Sequence, residues 1–499
     1  MRSRDINPAM LWRVTLLASP LIFANISLAS SMRQRETLVF ADEFDGFDMS
    51  VWKHDITMGG GGNWEFQYYT NNRSNSFVED GVLYLLPTLT ADTIGEESVT
   101  GEPPYTMSLW GLTPADQCTS NAYYGCERSS DNGSHMTLNP IQSAKISTSG
   151  SFHMKYGRVE VEAKLPAGDW IWPAIWMLPQ ENAYGSWPAS GEIDIMESRG
   201  NAVETGCSQG GCHLGNREMS STLHWGPFWQ ANRYWKTTGS GTLDQQKSFA
   251  EDFHIFGLSW DENGLYTYVD DEDKRVLSVD FGQSFWEFGE FGNLPGVSNP
   301  WVSRPNAAPF DQGFYLILNV AVGGVNGFFD DEAPGKPWKN ADGDAAFNFW
   351  QAKDEWYPTW KGRDAALQVK SVKVWEKPGG EHFQKGCTCP ARDPKDGGKV
   401  DGPIPPGAEA TFSFMMFATI MNSVVLLTAG VVWGMSCFRR RRSAQHSFGA
   451  GRDRKTFRLR GSGSGYILAG GGDGMTPKNT ASAGEVVAKM APAHELVNS

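Results

Sequence analysis

Three carboxylates fall within six residues at Glu192, Asp194 and Glu197, in the run Glu-Ile-Asp-Ile-Met-Glu. In an extended strand, alternation puts Glu192 and Asp194 on one face and Ile193 and Ile195 on the other. Regular pleating would bring Met196 next to the acidic face, whereas a bulge of one residue restores Glu197 to it. Acids crowded on one face repel one another, and their pKa values are forced apart. Cleavage of a glycosidic bond needs such a division, with one ionised carboxylate to attack the anomeric carbon and another carrying a proton for the departing oxygen. The bulge and the reach of two Glu side chains would bring the carboxyls toward the ~5–5.5 Å of a retaining mechanism. By spacing alone, a solvated acidic strand face explains the run equally well.

The neighbouring residues favour the chemical reading. Trp170, Trp172 and Trp176 lie upstream, and Trp187 stands just before the acids. Indole faces beside carboxylates suit a cleft that holds pyranose rings by apolar contact. Four indoles in so Pro-rich a segment are not all expected in a core. Eighteen of the 20 tryptophans fall between Trp52 and Trp375, so flat aromatic surface is gathered in the middle of the chain.

The elements that must position these residues are short. Segments 82–86, 158–164, 192–197, 221–225, 256–260, 265–269, 315–320 and 367–375 alternate or run apolar, separated by Gly, Pro, Asn and Asp. No long helical period and no internal repeat is present. The pattern predicts an all-β chain, a large antiparallel β-sandwich.

Outside this body the chain changes character. Three arginines, an apolar run at 14–29 and small residues after it predict a signal peptide over 1–30. A Pro/Gly-rich linker is expected over 386–410. No Asp, Glu, Lys or Arg occurs for 29 residues between Glu409 and Arg439, which predicts a transmembrane helix over 411–438. Arg439 to Arg442 would mark the cytoplasmic side, making a single-pass type I cell-membrane protein with its body outside. The tail, 439–499, reads as disordered and carries eleven Lys/Arg against four Asp/Glu. The whole chain has a net charge of −14, so the body is strongly acidic, which argues against nucleic acid as a ligand and favours a neutral hydrophilic one. Export permits disulfides. Six body cysteines leave the pairing open, with Cys118–Cys126 and Cys207–Cys212 the shortest loops. Asn72 and Asn132 head glycosylation sequons.

The run at 187–197, Trp-Pro-Ala-Ser-Gly-Glu-Ile-Asp-Ile-Met-Glu, resembles the bulged signature of glycoside hydrolase family 16 in its laminarinase form. Segments 62–73, 80–84, 124–128, 156–166, 221–227 and 318–324 are similar to the branch that holds β-1,3-glucan-recognition proteins, also called Gram-negative-binding proteins, and their laminarinase relatives. The likeness runs over roughly 37–377, within a domain expected at 31–385, and implies a jelly-roll, concanavalin A-like sandwich. It implies Glu192 as nucleophile, Glu197 as general acid/base, and Asp194 as the residue that assists by hydrogen-bonding the nucleophile. It implies sugar contacts for Trp172, Trp176, His224, Asn63 and Arg73, although His224 reads equally as a core imidazole. Asn319 reads as structural. No cofactor is expected. A structural calcium ion is common in the family, and Asp42, Glu43 and Asp45 lie in the right region without forming a readable ligand loop, so no metal is assigned.

Many recognition proteins of this branch bind glucan with a degraded acidic triad, whereas this chain keeps all three acids. The expectation is therefore a membrane-tethered retaining endo-β-1,3-glucanase with a monomeric ectodomain. The alternatives are a non-catalytic receptor for β-1,3-glucan or lipopolysaccharide, and a glucan transglycosylase.

Overall fold

The computed structural model describes residues 36–111, 113–202, 214–243 and 247–385. The segments read as signal peptide, linker, membrane span and tail lie outside them, as do Cys207, Cys212, Cys387 and Cys389. Among the described residues no helix is long and apolar enough to cross a membrane. The expected single-pass membrane placement, and with it the bilayer as a partner, is corrected on that finding.

The described chain is all-β apart from short helical turns. Nine strands follow one another across the main sheet. They are Thr238–Thr242, Glu218–His224, Glu192–Ser198, Ile171–Pro179, Phe314–Val322, Phe152–Lys164, His254–Asp261, Gly264–Val269 and Asp271–Asp280. The pairings along this path are antiparallel. Leu367–Gln384 adds to Phe152–Lys164 and carries the first strand, Thr37–Asp42, on its other edge. The sheet doubles back on itself, so that Thr238–Thr242 packs against Asp271–Asp280 from the far end. Gly239 is required at this contact, because a Cβ there would sit 2.1 Å from the Val276 carbonyl oxygen. This is the jelly-roll-like sandwich the family resemblance implied.

Between the layers lies an aliphatic core that includes Val159, Val161, Ile175, Ile193, Ile195, Leu223, Leu258 and Leu318, all buried. Burial alternates along Phe152–Lys164, as its Arg-Val-Glu-Val-Glu-Ala-Lys stretch requires. A second, aromatic cluster joins Phe66, Trp170, Trp172, Phe329, Trp338, Phe349 and Trp356. Trp170 is 3% exposed within it, packed edge-on against Phe329 and Trp338. It is therefore core, and the expectation that the whole 170–187 group lines a cleft is corrected at this residue.

The acid strand is bulged. Against Glu218–His224, Asp194 faces Thr222 and Glu197 faces Ser220, so Ile195 and Met196 together oppose Ser221. On the other side, Trp176 faces Asp194 and Ile175 faces Met196. A bulge leaves a carbonyl out of the ladder, and here a side chain of the neighbouring strand supplies its partner and is itself held from the second layer. The Ser221 hydroxyl donates to the Ile195 carbonyl at 2.7 Å. The Thr267 hydroxyl donates to Ser221 Oγ at 2.8 Å, and Leu277 N–H donates to Thr267 Oγ1 at 3.2 Å. Ser221 and Thr267 are fully buried, so each of these bonds replaces a desolvated, unpaired group.

Cys118 and Cys126 are joined as a disulfide. Asp42 accepts Phe44 N–H and the Trp52 indole N–H on its two oxygens, and Glu43 pairs with Lys373 at 2.9 Å.

Ser221→Ala leaves the Ile195 carbonyl without a donor and Thr267 without an acceptor. The expected loss is about 1–3 kcal/mol, read as a lower urea midpoint at unchanged m-value. An unchanged midpoint would show that the bulge does not depend on this chain of hydroxyls.

Candidate active site

Register decides which side chains share the acidic face, because residues directly opposite on antiparallel strands project to the same side. His224 faces Glu192, Thr222 faces Asp194 and Ser220 faces Glu197 on one flank. Trp176 faces Asp194 and Ala174 faces Glu197 on the other, and beyond them Asn319 faces Ala174. The three carboxylates thus lie in a row between a His/Thr/Ser strand and a Trp/Ala/Trp strand.

Each Glu receives an indole N–H. Trp187 Nε1 donates to Glu192 Oε2 at 2.9 Å, and Trp172 Nε1 donates to Glu197 Oε1 at 3.0 Å. Trp187 is 44% exposed while Trp172 is 7% exposed, so one indole stands at the surface and the other forms a wall. Phe328 stacks on Trp172 with ring centroids 3.8 Å apart and planes 6° from parallel. Arg199 covers the far side of Phe328 at 4.0 Å, and its Nε donates to the Phe328 carbonyl. His224 Nε2 lies 3.2 Å from Asp194 Oδ2 and 3.8 Å from Glu192 Oε1. Its alignment to Asp194 is poor, and Oδ2 makes no hydrogen bond among the described residues.

Burial raises all three acids. Glu192 is pushed up to about 8, first by desolvation and then by the charge of Asp194, against the opposing pull of His224. Asp194, 3% exposed, is driven well above the ordinary carboxylate range by desolvation and by Glu197. Glu197 is raised by desolvation and by Glu65, while His224, the Trp172 indole and Arg199 oppose the rise. Three acids so placed do not ionise together. When Asp194 keeps its proton, its repulsion of Glu192 vanishes, and the Trp187 indole then favours charge on Glu192.

The remaining expected residues fall unequally. Trp176 shares the acids' face, but its indole donates to Asn319 Oδ1 at 2.6 Å and Lys145 lies 4.9 Å over its ring. Asn319 also donates to the Tyr69 hydroxyl, so it braces the strands beside the acids. Asn63 reaches the site indirectly, donating to Glu65 Oε1 at 3.0 Å. Arg73 is not brought to the carboxylates; its guanidinium bonds the Asn71 carbonyl and His54 and lies 4.9 Å from the Phe47 ring. Glu65, Arg199, Phe328 and Asn232 belong to the surroundings of the site and carried no local signal strong enough to assign them. Glu65 stands within the matched Asn-Trp-Glu-Phe-Gln run, yet only its burial at 7% exposure marks it out. Glu192, Asp194 and His224 bring donor atoms within 4.8 Å of one another, a spacing that could hold a metal ion.

A family profile for glycosyl hydrolases family 16 matches residues 117–285. The chain is 47% identical over 370 residues to a Beta-1,3-glucan-binding protein of Penaeus monodon, covering 73% of this chain and 96% of the relative. It is 31% identical over 299 residues to a Glucan endo-1,3-beta-glucosidase of Cryptopygus antarcticus, covering 59% of this chain and 83% of that one. Among solved structures, the laminarinase from Rhodothermus marinus aligns at 25% identity with a TM-score of 0.41, covering 68% of this chain and 98% of that one. The chain belongs to glycosyl hydrolase family 16.

The raised Glu192 has a consequence for stability. A carboxyl raised from 4.5 to about 8 on folding contributes stability that is complete below about pH 4.5 and is lost as pH rises through about 8. Glu192→Gln removes that dependence. The variant should match wild type near pH 4.5 and exceed it at pH 9 by on the order of 2 kcal/mol in urea unfolding, with coupling to Asp194 and Glu197 reducing the full shift. A gap that does not widen with pH would show that folding does not raise the proton affinity of Glu192.

Proposed function

We propose that this protein is a retaining endo-β-1,3-glucanase acting on laminarin-like β-1,3-glucans. The observation that carries the reading is the bulged strand with all three carboxylates on one face and an indole N–H on each Glu. In this reading Glu192 attacks the anomeric carbon and forms a glycosyl ester while Glu197 transfers its proton to the departing glycosidic oxygen. Glu197 then takes a proton from water as the water oxygen displaces Glu192, restoring both groups and retaining the anomeric configuration. Asp194, buried and protonated, gives its hydrogen to Glu192 and limits the charge that the strand must hold. Trp172 and the exposed Trp187 would flank the sugar at the cleavage point, and the relative named as an endo-1,3-beta-glucosidase supports the substrate class.

A second reading, binding of β-1,3-glucan without cleavage, is favoured by the name of the Penaeus monodon relative. The retained acids weigh against it, since a binding surface gains nothing from three buried carboxyls that prefer to be neutral.

The full chain incubated with laminarin should release short oligosaccharides that first appear as the β-anomer by NMR. Glu192→Gln and Glu197→Gln should each lower kcat by about 1000-fold or more while binding persists. Binding by wild type with no release would overturn the hydrolase reading. Products longer than the substrate would point to transfer between sugars.

A further inference from the structure

His224 faces the two carboxylates through one ring nitrogen, and what the other nitrogen meets determines which of them carries hydrogen in the neutral ring. That other nitrogen, Nδ1, lies 2.8 Å from Asn232 Nδ2. The orientation of the Asn232 amide is itself set by the backbone. Its Oδ1 accepts N–H from Trp225 at 3.2 Å and from Tyr234 at 3.3 Å, so turning the amide over would press an NH2 group against two N–H donors. Asn232 is 7% exposed, so such a clash would be buried. The NH2 group therefore points at His224, and Nδ1 can only accept. The ring between is clamped by Tyr234, stacked at 5.4 Å, and by Trp187 at 5.6 Å. The loop that carries Asn232 is held at Trp225, which is fully buried and donates its indole N–H to Thr237.

We propose that Asn232 is a positioning residue that holds His224 as the Nε2–H tautomer, so that the ring donates hydrogen toward Glu192 and Asp194 and does not compete for their proton. The inference rests on the glycosidase reading for its effect on rate, while the tautomer itself does not depend on that reading. With Nε2–H lying between Asp194 Oδ2 and Glu192 Oε1, a small rotation directs it to either oxygen. Glu192 bears charge before attack; once Glu192 is esterified, the hydrogen can turn to Asp194 Oδ2, which otherwise lacks a donor among the described residues. The opposite tautomer would aim a lone pair at two carboxylates and press Nδ1–H against the Asn232 NH2 group, opposing acceptors on one side and donors on the other. For the same reason the wild-type ring offers no lone pair to a metal ion at this cluster.

Asn232→Asp is the discriminating substitution. One carboxylate oxygen keeps both backbone bonds, and the other replaces the NH2 group and requires hydrogen on Nδ1, reversing the tautomer at nearly constant shape. The full chain is labelled with 15N-histidine, and the His224 ring signals are assigned by their loss in His224→Gln. At a pH where the ring is neutral, wild type should show hydrogen on Nε2 and Asn232→Asp should show it on Nδ1. On laminarin, Asn232→Asp should lower kcat by about 100-fold with KM changed less than about threefold, as expected when a proton-handling ring is wrongly set. Hydrogen on Nδ1 in wild type, or an unchanged tautomer in Asn232→Asp, would overturn the proposal. So would a reversed tautomer with undiminished kcat, which would make the arrangement merely structural. A wild type that shows the expected tautomer but cleaves no laminarin would overturn the glucanase reading and leave the assignment of the ring standing.

Discussion

The arrangement of this protein depends on one irregularity, the extra residue in the Glu192–Ser198 strand. Without it Glu197 would point into the aliphatic core and Met196 would stand among the acids. The bulge survives because its loose carbonyl is not left dry. The Ser221 hydroxyl reaches it from the neighbouring strand, and Thr267 and the Leu277 amide continue the chain from the opposite layer. A local defect in one strand is thus compensated from across the sandwich, which ties the geometry of the acids to the packing of the whole domain.

The second constraint is electrostatic. Burying three carboxyls side by side is unfavourable, and the surrounding groups reduce that penalty without removing it. Indole N–H groups on Glu192 and Glu197, the imidazole of His224, and Arg199 all favour charge, whereas burial and mutual repulsion oppose it. The balance leaves the cluster short of full ionisation, the state in which one acid can attack and another can donate. A core optimised for stability alone would have replaced these residues with apolar ones, so the cluster is kept at a cost in stability.

The tryptophans separate along the same line. Trp52, Trp225, Trp260, Trp338 and Trp356 fill the interior, and Trp170 joins them despite lying two residues from Trp172. On a strand, neighbours two apart share a face, yet Trp170 precedes the strand that begins at Ile171 and is packed by the Phe329 and Trp338 loops. Nothing local distinguishes the two indoles. Similarly, Ile171–Pro179 was legible as a Trp-rich segment but not as a central strand, because Pro173 ordinarily argues against one. The strand Asp271–Asp280 begins with five mostly exposed, largely charged residues at the sheet's edge and so shows no apolar run to read.

The amino-acid sequence by itself determined the all-β class, most of the strands, the three acids and the face on which alternation and a bulge would place them. These follow from a period of two and from residue types, which are local properties of the chain. The tertiary structure alone decided the company the acids keep. Trp172 rather than Trp170 reaches Glu197, Glu65 acts on it from a distant segment, Arg73 turns to His54, and Asn232 sets the face His224 presents. Such choices depend on strand register and on hydrogen bonds closed between remote segments. They arise only when the sheet folds over and every buried donor must find its acceptor.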